Sequence, residues 1–301
     1  MRNQDVYKKV SETILNIMEE NKDGNWIKPW FAKQVAPKSL ATGKYYRGTN
    51  YFLLTLMSWN KGYESPYWAT FNQIKKRGGK VKKGEKATPI IFWQNRVIEV
   101  APVDENEEPE LKQIPLLRYY FVFNLEQTDL VIGENIEAPV NQIKDFENEE
   151  AIQMILDGME NCPEILHRGG RAFYRPSTDK ITMPAKTKFE SEEHYYRTLI
   201  HELGHSVCNE RRLGCPFNGD KLQKQSYATE ELVVEMASAF VCAIIGVNNY
   251  RSEEDMKNHA MYIKSWSARI KGDPRWIVKV STWSQKVADY LLSGITSLQS
   301  E

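Results

Sequence analysis

The sequence is short of cysteine and histidine, has no long apolar run, and carries no net charge. Each shortage excludes something. The four cysteines, Cys162, Cys208, Cys215 and Cys242, form no C-x-x-C pair, which argues against a thiolate metal site. With no export signal in view, free thiols are expected rather than a disulfide framework. Cys242 lies in an apolar run and reads as core. A membrane-spanning helix needs about 20 consecutive apolar residues, and no stretch approaches that. Residues 1–22 are amphipathic, with acids among the bases, rather than continuously apolar like a signal peptide. The expectation is a cytoplasmic protein whose chain opens on a helix, with no membrane partner.

What is present is uneven. Residues 1–100 hold 18 Lys and Arg against 8 Asp and Glu, a balance of +10, while residues 101–160 hold 3 against 15, a balance of −12. The basic third also carries 15 of the 34 aromatic residues. Lysine and arginine attract phosphates and flat rings stack on bases, so this composition points to nucleic acid. The densest piece runs from KYYRGTNYF to RGGKVKKGEK. It offers Tyr46, Arg47 and Asn50 at one end. At the other, Lys75, Lys76, Arg77, Lys80, Lys82, Lys83 and Lys86 surround a Gly78-Gly79 turn. A lysine-rich turn is also often merely solvated, and Phe52, Trp68 and Phe71 read as core. Charge and rings alone do not separate single strands from duplex or RNA.

A chain of 301 residues has room for about two domains. Helical spacing marks 3–22 and 49–60, the latter with Thr49 as N-cap, and a loop with Trp26, Pro29, Trp30 and Phe31 lies between. A short helix, a glycine turn and strands at Pro89–Trp93 and Arg96–Val100 follow. An acidic loop at 102–113 leads to a returning strand at 116–130. The expected organisation is α+β, with a first domain at 1–130, a linker at 131–148 and a second domain at 149–301. The second should be mostly helical: helices at 147–160, 191–209, 229–245, 252–270 and 275–293. Two short strands flank a turn at Ser177–Asp179, and Lys180–Met183 reads as an exposed strand able to take an extended substrate.

The helix at 191–209 carries TLIHELGHSVCNE. Positions four apart on a helix project to one face, so His201 and His205 can grip one ion. Glu202, one step round, is set to act as a general base toward water. This is the H-E-x-x-H pattern of zinc peptidases, and one Zn2+ per chain is expected. The competing reading is two surface histidines on an amphipathic helix. Gly204 would allow a close neighbour. His167, His194 and His259 have no obvious claim on the metal. A third ligand is sought in SYATEELVVEMASAFVCAII, where Glu235 sits alone in an apolar run and must be paired or metal-bound. Glu231 shares its face. One would ligate and the other would accept the N–H of a ligand histidine. Glu231 is assigned to the metal and Glu235 to the histidine. The reverse order stays open, and Glu230 suits the first turn of a helix. Tyr195, Tyr196 and Tyr227 are alternatives for steadying an oxyanion.

Several motifs now stand in order: Tyr46-x-Gly48-x-Asn50, Trp68-Ala-Thr-Phe-x-Gln73, Gly79-x-Val-x-Lys-Gly-Glu-Lys86 and Tyr120-x-Val-Phe-Asn124. Behind them come Met183-Pro184 through Phe189 to Tyr195-Tyr196, then His201-Glu-Leu-Gly-His205 and Tyr227-Ala-Thr-Glu-Glu-Leu-Val-Val-Glu235. Together they resemble the ArdC-type antirestriction proteins over nearly the whole chain. The resemblance implies an N-terminal single-stranded DNA-binding domain joined to a gluzincin-like metallopeptidase domain with a small sheet. It also implies a protein of plasmids, integrative elements or phages that shields incoming DNA from restriction. The peptide substrate is not implied.

Overall fold

The computed structural model describes residues 3–21, 36–100, 110–137, 147–217, 224–247 and 259–298. The loop around Trp26 and Trp30, most of the acidic 102–113 loop, the middle of the linker and the start of the 252–270 helix lie outside the described residues.

Helix α1 spans Asn3–Glu20 and buries Val6, Val10, Ile14, Ile17 and Met18, the stripe its spacing foretells. Helix α2, Gly48–Lys61, begins one residue before Thr49, with Arg47 at the N-cap. Thr49 is buried inside the first turn, where its hydroxyl meets that of Ser281 at 2.7 Å. Strands β1 (Lys38–Ser39), β2 (Tyr67–Ala69), β3 (Thr88–Val100) and β4 (Glu110–Asn124) form a sheet in the order β1-β2-β4-β3. The two strands expected at Pro89–Trp93 and Arg96–Val100 are one continuous β3, paired with β4 along its whole length. Strand β4 stops at Asn124 because that side chain turns inward to accept from the amide of Glu126. Helix α3, Phe71–Lys76, is opened by a reciprocal cap between Thr70 and Gln73.

The second part begins with α4, Asn148–Gly158. A small sheet of β5 (Glu164–His167), β6 (Phe173–Arg175) and β7 (Lys180–Met183) follows in the order β5-β7-β6. This corrects one expectation. Strand β7 is central, parallel to β5 and antiparallel to β6, so it has no free edge for a substrate. The pattern in the sequence does not reveal β5, a four-residue strand with half-polar character. Helices α5 (Glu192–Val207), α6 (Lys224–Ile245), α7 (His259–Gly272), α8 (Trp276–Leu291) and α9 (Ser293–Leu298) complete the chain. Helix α6 starts five residues earlier than expected. No described helix is long and apolar enough to cross a membrane.

The two-part architecture separates the sheets, but not the core. One apolar cluster runs from α1 and α2 through α4, α5 and α6 to α8. Tyr51 of α2 meets Phe240 of α6 edge-on, with ring centroids 4.6 Å apart. The amide of Gly48 donates to Gln285 of α8 at 2.7 Å, and the Ser11 hydroxyl donates to the carbonyl of Pro274 at 2.9 Å. Among the described residues, two smaller clusters, around Leu40 and Ile74 and around Leu54 and Trp68, belong to the first part alone. None of the four cysteines is in a disulfide, in line with the expectation of thiols.

Candidate metal centre

Helix α5 is started by Ser191, whose side chain accepts from the amide of His194 at 3.1 Å. Glu192 and Glu193 then occupy the first turn, where negative charge suits the helix dipole. Two turns on, His201 and His205 share a face. Helix α6 packs against this region closely: a Cβ at Gly204 would lie 2.8 Å from Cγ1 of Val234. The missing methyl lets α6 bring Glu230 and Glu231 over the histidines.

The donor atoms converge. Nε2 of His201 and Nε2 of His205 are 3.2 Å apart. Glu231 Oε1 is 3.3 Å from His205 Nε2, and its Oε2 is 3.6 Å from His201 Nε2. A tetrahedral ion with bonds of about 2.0–2.1 Å separates its ligands by roughly 3.3–3.4 Å. The two nitrogens have that spacing, and the Glu231 carboxylate turns one oxygen toward each of them. His201, His205 and Glu231 are the one group among the described residues with this capacity. Their side chains are 22%, 12% and 32% exposed, so the cluster is reachable from solvent.

Nδ1 of His205 faces Glu230 Oε1 at 2.9 Å. That role was expected of Glu235. Consecutive helix residues diverge by about 100° and so clasp the imidazole from two sides, whereas Glu235 lies about 6 Å further along the axis. Burial disfavours a charge on His205, but its hydrogen bonds to the Glu230 and Glu231 carboxylates outweigh it, and without a metal its pKa is pushed up to about 10. Nδ1 of His201 is buried and has no hydrogen-bond partner among the described residues.

Glu202 is 9% exposed and receives the amide of Tyr174, on β6, at Oε2 over 2.8 Å. Its Oε1 has no hydrogen-bond partner among the described residues. Strand β6 is itself latched. The Tyr174 hydroxyl donates to Asp179 at 2.7 Å, and the buried Arg212 donates to both Asp179 oxygens at 3.0 Å and to the carbonyl of Ser206, on α5, at 2.9 Å. Burial opposes the Asp179 charge, but hydrogen bonds from Arg212 and Tyr174 prevail and hold its carboxyl below the usual range. Spacing in the sequence gives no hint of Tyr174 or Arg212. Of the latch, only Asp179 is marked there, by its place in a turn, and its φ is positive at 53°.

The tyrosines considered for an oxyanion are engaged elsewhere. The Tyr195 hydroxyl meets His167 Nε2 at 2.8 Å, and that of Tyr196 donates to Glu192 at 2.8 Å. The Tyr227 side chain lies outside the described residues.

The residues expected to bind nucleic acid divide in two. Tyr46, Arg47 and Asn50 have partners within the fold. Burial pushes the Tyr46 phenol up to about 12, a bond with Ser39 opposing. Arg47 pairs with Asp289 at 2.5 Å. The Asn50 amide bonds both the carbonyl and the amide of Ile91 at 2.7 Å. Lys75, Lys76, Arg77, Lys80, Lys82, Lys83 and Lys86 are all exposed. Phe71, expected in the core, is 56% exposed beside them. The sheet adds Phe92 and Tyr120, exposed and edge-on at 6.0 Å; Tyr120 opens one of the motifs read in the sequence, whereas Phe92 is not singled out there.

A two-histidine helix crossed by a glutamate-bearing helix, beside a small sheet, defines the zincin-like metallopeptidases, and residues 153–282 match the family model of that description. Residues 4–123 match the model for the N-terminal domain of anti-restriction factor ArdC. The chain belongs to the ArdC antirestriction family. The metal-free crystal structure of antirestriction ArdC from plasmid R388 is 31% identical, with a TM-score of 0.74 over 97% of this chain and 98% of that one. The Mn(II)-bound form is 29% identical, with a TM-score of 0.70 over 96% and 97%. The uncharacterized protein y4eC of Sinorhizobium fredii is 30% identical over 95% of this chain and 91% of its own length. DNA primase TraC of Escherichia coli is 31% identical over 92% of this chain, which spans only 26% of that primase.

Proposed function

We propose that this chain is a zinc-dependent peptidase that also binds single-stranded DNA and protects incoming mobile-element DNA in the cytoplasm. His201, His205 and Glu231 hold the ion, and Glu230 fixes the tautomer of His205. The observation that carries the reading is the convergence of His201, His205 and Glu231, whose nitrogens lie 3.2 Å apart with a carboxylate oxygen 3.3 Å from one and the other oxygen 3.6 Å from the second. Bound there, the metal supplies a Lewis acid for the scissile carbonyl and for water. Glu202 takes the proton of the attacking water at Oε1 and delivers it to the leaving amine nitrogen. The Tyr174 amide holds Oε2 and so aims the other oxygen. The solvent-reachable ligands favour a catalytic ion over a structural one, which is normally closed off by four protein ligands.

The exposed lysine turn with Phe71, Phe92 and Tyr120 supports the DNA-binding half of the proposal. The charges meet phosphates and the rings stack on bases. The test is Glu202→Gln. The variant should keep metal and oligonucleotide binding and lose proteolysis; cleavage by the pure variant would remove Glu202 from its role. Whether proteolysis serves DNA protection is read from the same variant in a transfer assay, where the proposal expects protection to fall.

A further inference from the structure

Behind the edge strand β6 lies a cavity of about 640 Å3 whose lining is cationic. It is open to solvent and lined by Arg168, Arg171 and Arg175 with Phe173 and Thr182. The Arg175 guanidinium sits 5.4 Å from the Phe173 ring centre. Among the described residues, none of the three arginines has a carboxylate partner. The Gly169-Gly170 turn that closes one side is held by Lys188, which donates to the Gly169 carbonyl at 3.0 Å. Three unneutralised guanidinium groups around one hollow describe a receptor for negative charge.

Its position says which negative charge. Side chains alternate along a strand. The Tyr174 side chain packs against the main core, and its neighbours Phe173 and Arg175 line the cavity. Strand β6 has a partner on one side only. On its other side the Tyr174 amide is already given to Glu202, so a peptide bound at that carboxylate would lie within a residue of Phe173 and Arg175, which line the cavity.

We infer that this cavity takes an Asp or Glu side chain of the peptide substrate, which makes the enzyme selective for acidic sequences. The inference rests on the peptidase reading above. It can be tested on the full chain carrying Glu202→Gln, with three fluorescent probes: a Glu-Ala decapeptide, its Gln-Ala counterpart and an oligo-dT. The acidic peptide should bind about tenfold more tightly than the neutral one. Adding Arg171→Glu and Arg175→Glu, both at exposed positions, should abolish that difference and leave oligo-dT binding unchanged. No preference in the parent chain overturns the inference. So does loss of oligo-dT binding with the reversed arginines, which would give the cavity to nucleic acid. Digestion of a random peptide library by the metal-loaded wild type adds a second readout, with acidic residues expected at one fixed position near the cut. Cleavage without such a position overturns the inference and leaves the peptidase standing. No cleavage of any peptide removes both, even if the binding preference is seen.

Discussion

The Cβ that Gly204 lacks would sit 2.8 Å from Cγ1 of Val234, so the helix carrying the histidines and the helix carrying the glutamates meet where one has no side chain. Alanine is favoured over glycine in a helix interior by about 1 kcal/mol. At this crossing the added methyl must instead push α6, and with it Glu230 and Glu231, away from the histidines. Gly204→Ala should weaken metal binding by about tenfold or more, as disturbing the groups that support metal ligands does. Val234→Ala in the same chain should restore part of it. Metal titration of both variants checks this, and unchanged affinity in Gly204→Ala would show that α6 has slack.

Glu230 and Glu235 can be told apart in the same way. Glu230→Gln should reduce metal affinity by about 10–100-fold, the range for removing a carboxylate that orients a ligand histidine. Glu235→Gln should change it much less. Equal reductions would return Glu235 to the place the sequence pattern suggests for it.

The latch on β6 predicts an acid-dependent stability. The carboxyl of Asp179 is held below its ordinary value in the folded chain. Its stabilising share is therefore complete above the usual carboxylate pKa of about 3.9 and disappears as pH falls through the lower folded value. Melting temperature measured from pH 6 downward should fall less steeply in Asp179→Asn than in wild type. Arg212→Ala leaves that carboxylate without its buried partner and should destabilise the fold by about 3–5 kcal/mol. A neutral Arg212→Ala would mean the latch carries nothing.

The two groups of expected nucleic-acid residues should also behave differently. Charge reversal at Lys83 and Lys86 should weaken oligo-dT binding and lower the salt slope by about 0.7 for each phosphate no longer neutralised. Asn50→Ala should leave that slope unchanged and lower the melting temperature, because its amide ties α2 to β3. Salt titrations and melts on the same preparations check both.

The parts of the molecule governed by short-range pattern are legible in the sequence. Regular apolar spacing marks α1, and the four-residue interval marks the shared face of His201 and His205. What escapes depends on partners distant in the chain. Strand β5 has too little pattern in four residues to announce itself, and without it β7 reads as a false edge. Asn50 reads as a ligand-binding residue because nothing local shows that Ile91, 41 residues away, consumes both ends of its amide. Glu230 reads as an ordinary helix-start acid, since only the crossing at Gly204 brings it to His205. Phe71 reads as core from its hydrophobicity, although the helix it opens turns that position outward.

Tyr51 presses its edge into Phe240, on the same helix that bears Glu230 and Glu231. An edge-to-face aromatic pair contributes about 0.5–1.5 kcal/mol beyond its area, and here it joins parts that two separate family models describe. A gene severed between codons for 137 and 147 would yield two polypeptides with raw, sticky flanks that recover shape only in each other's company. Co-expressed, they should copurify; singly, each should light up a hydrophobic dye.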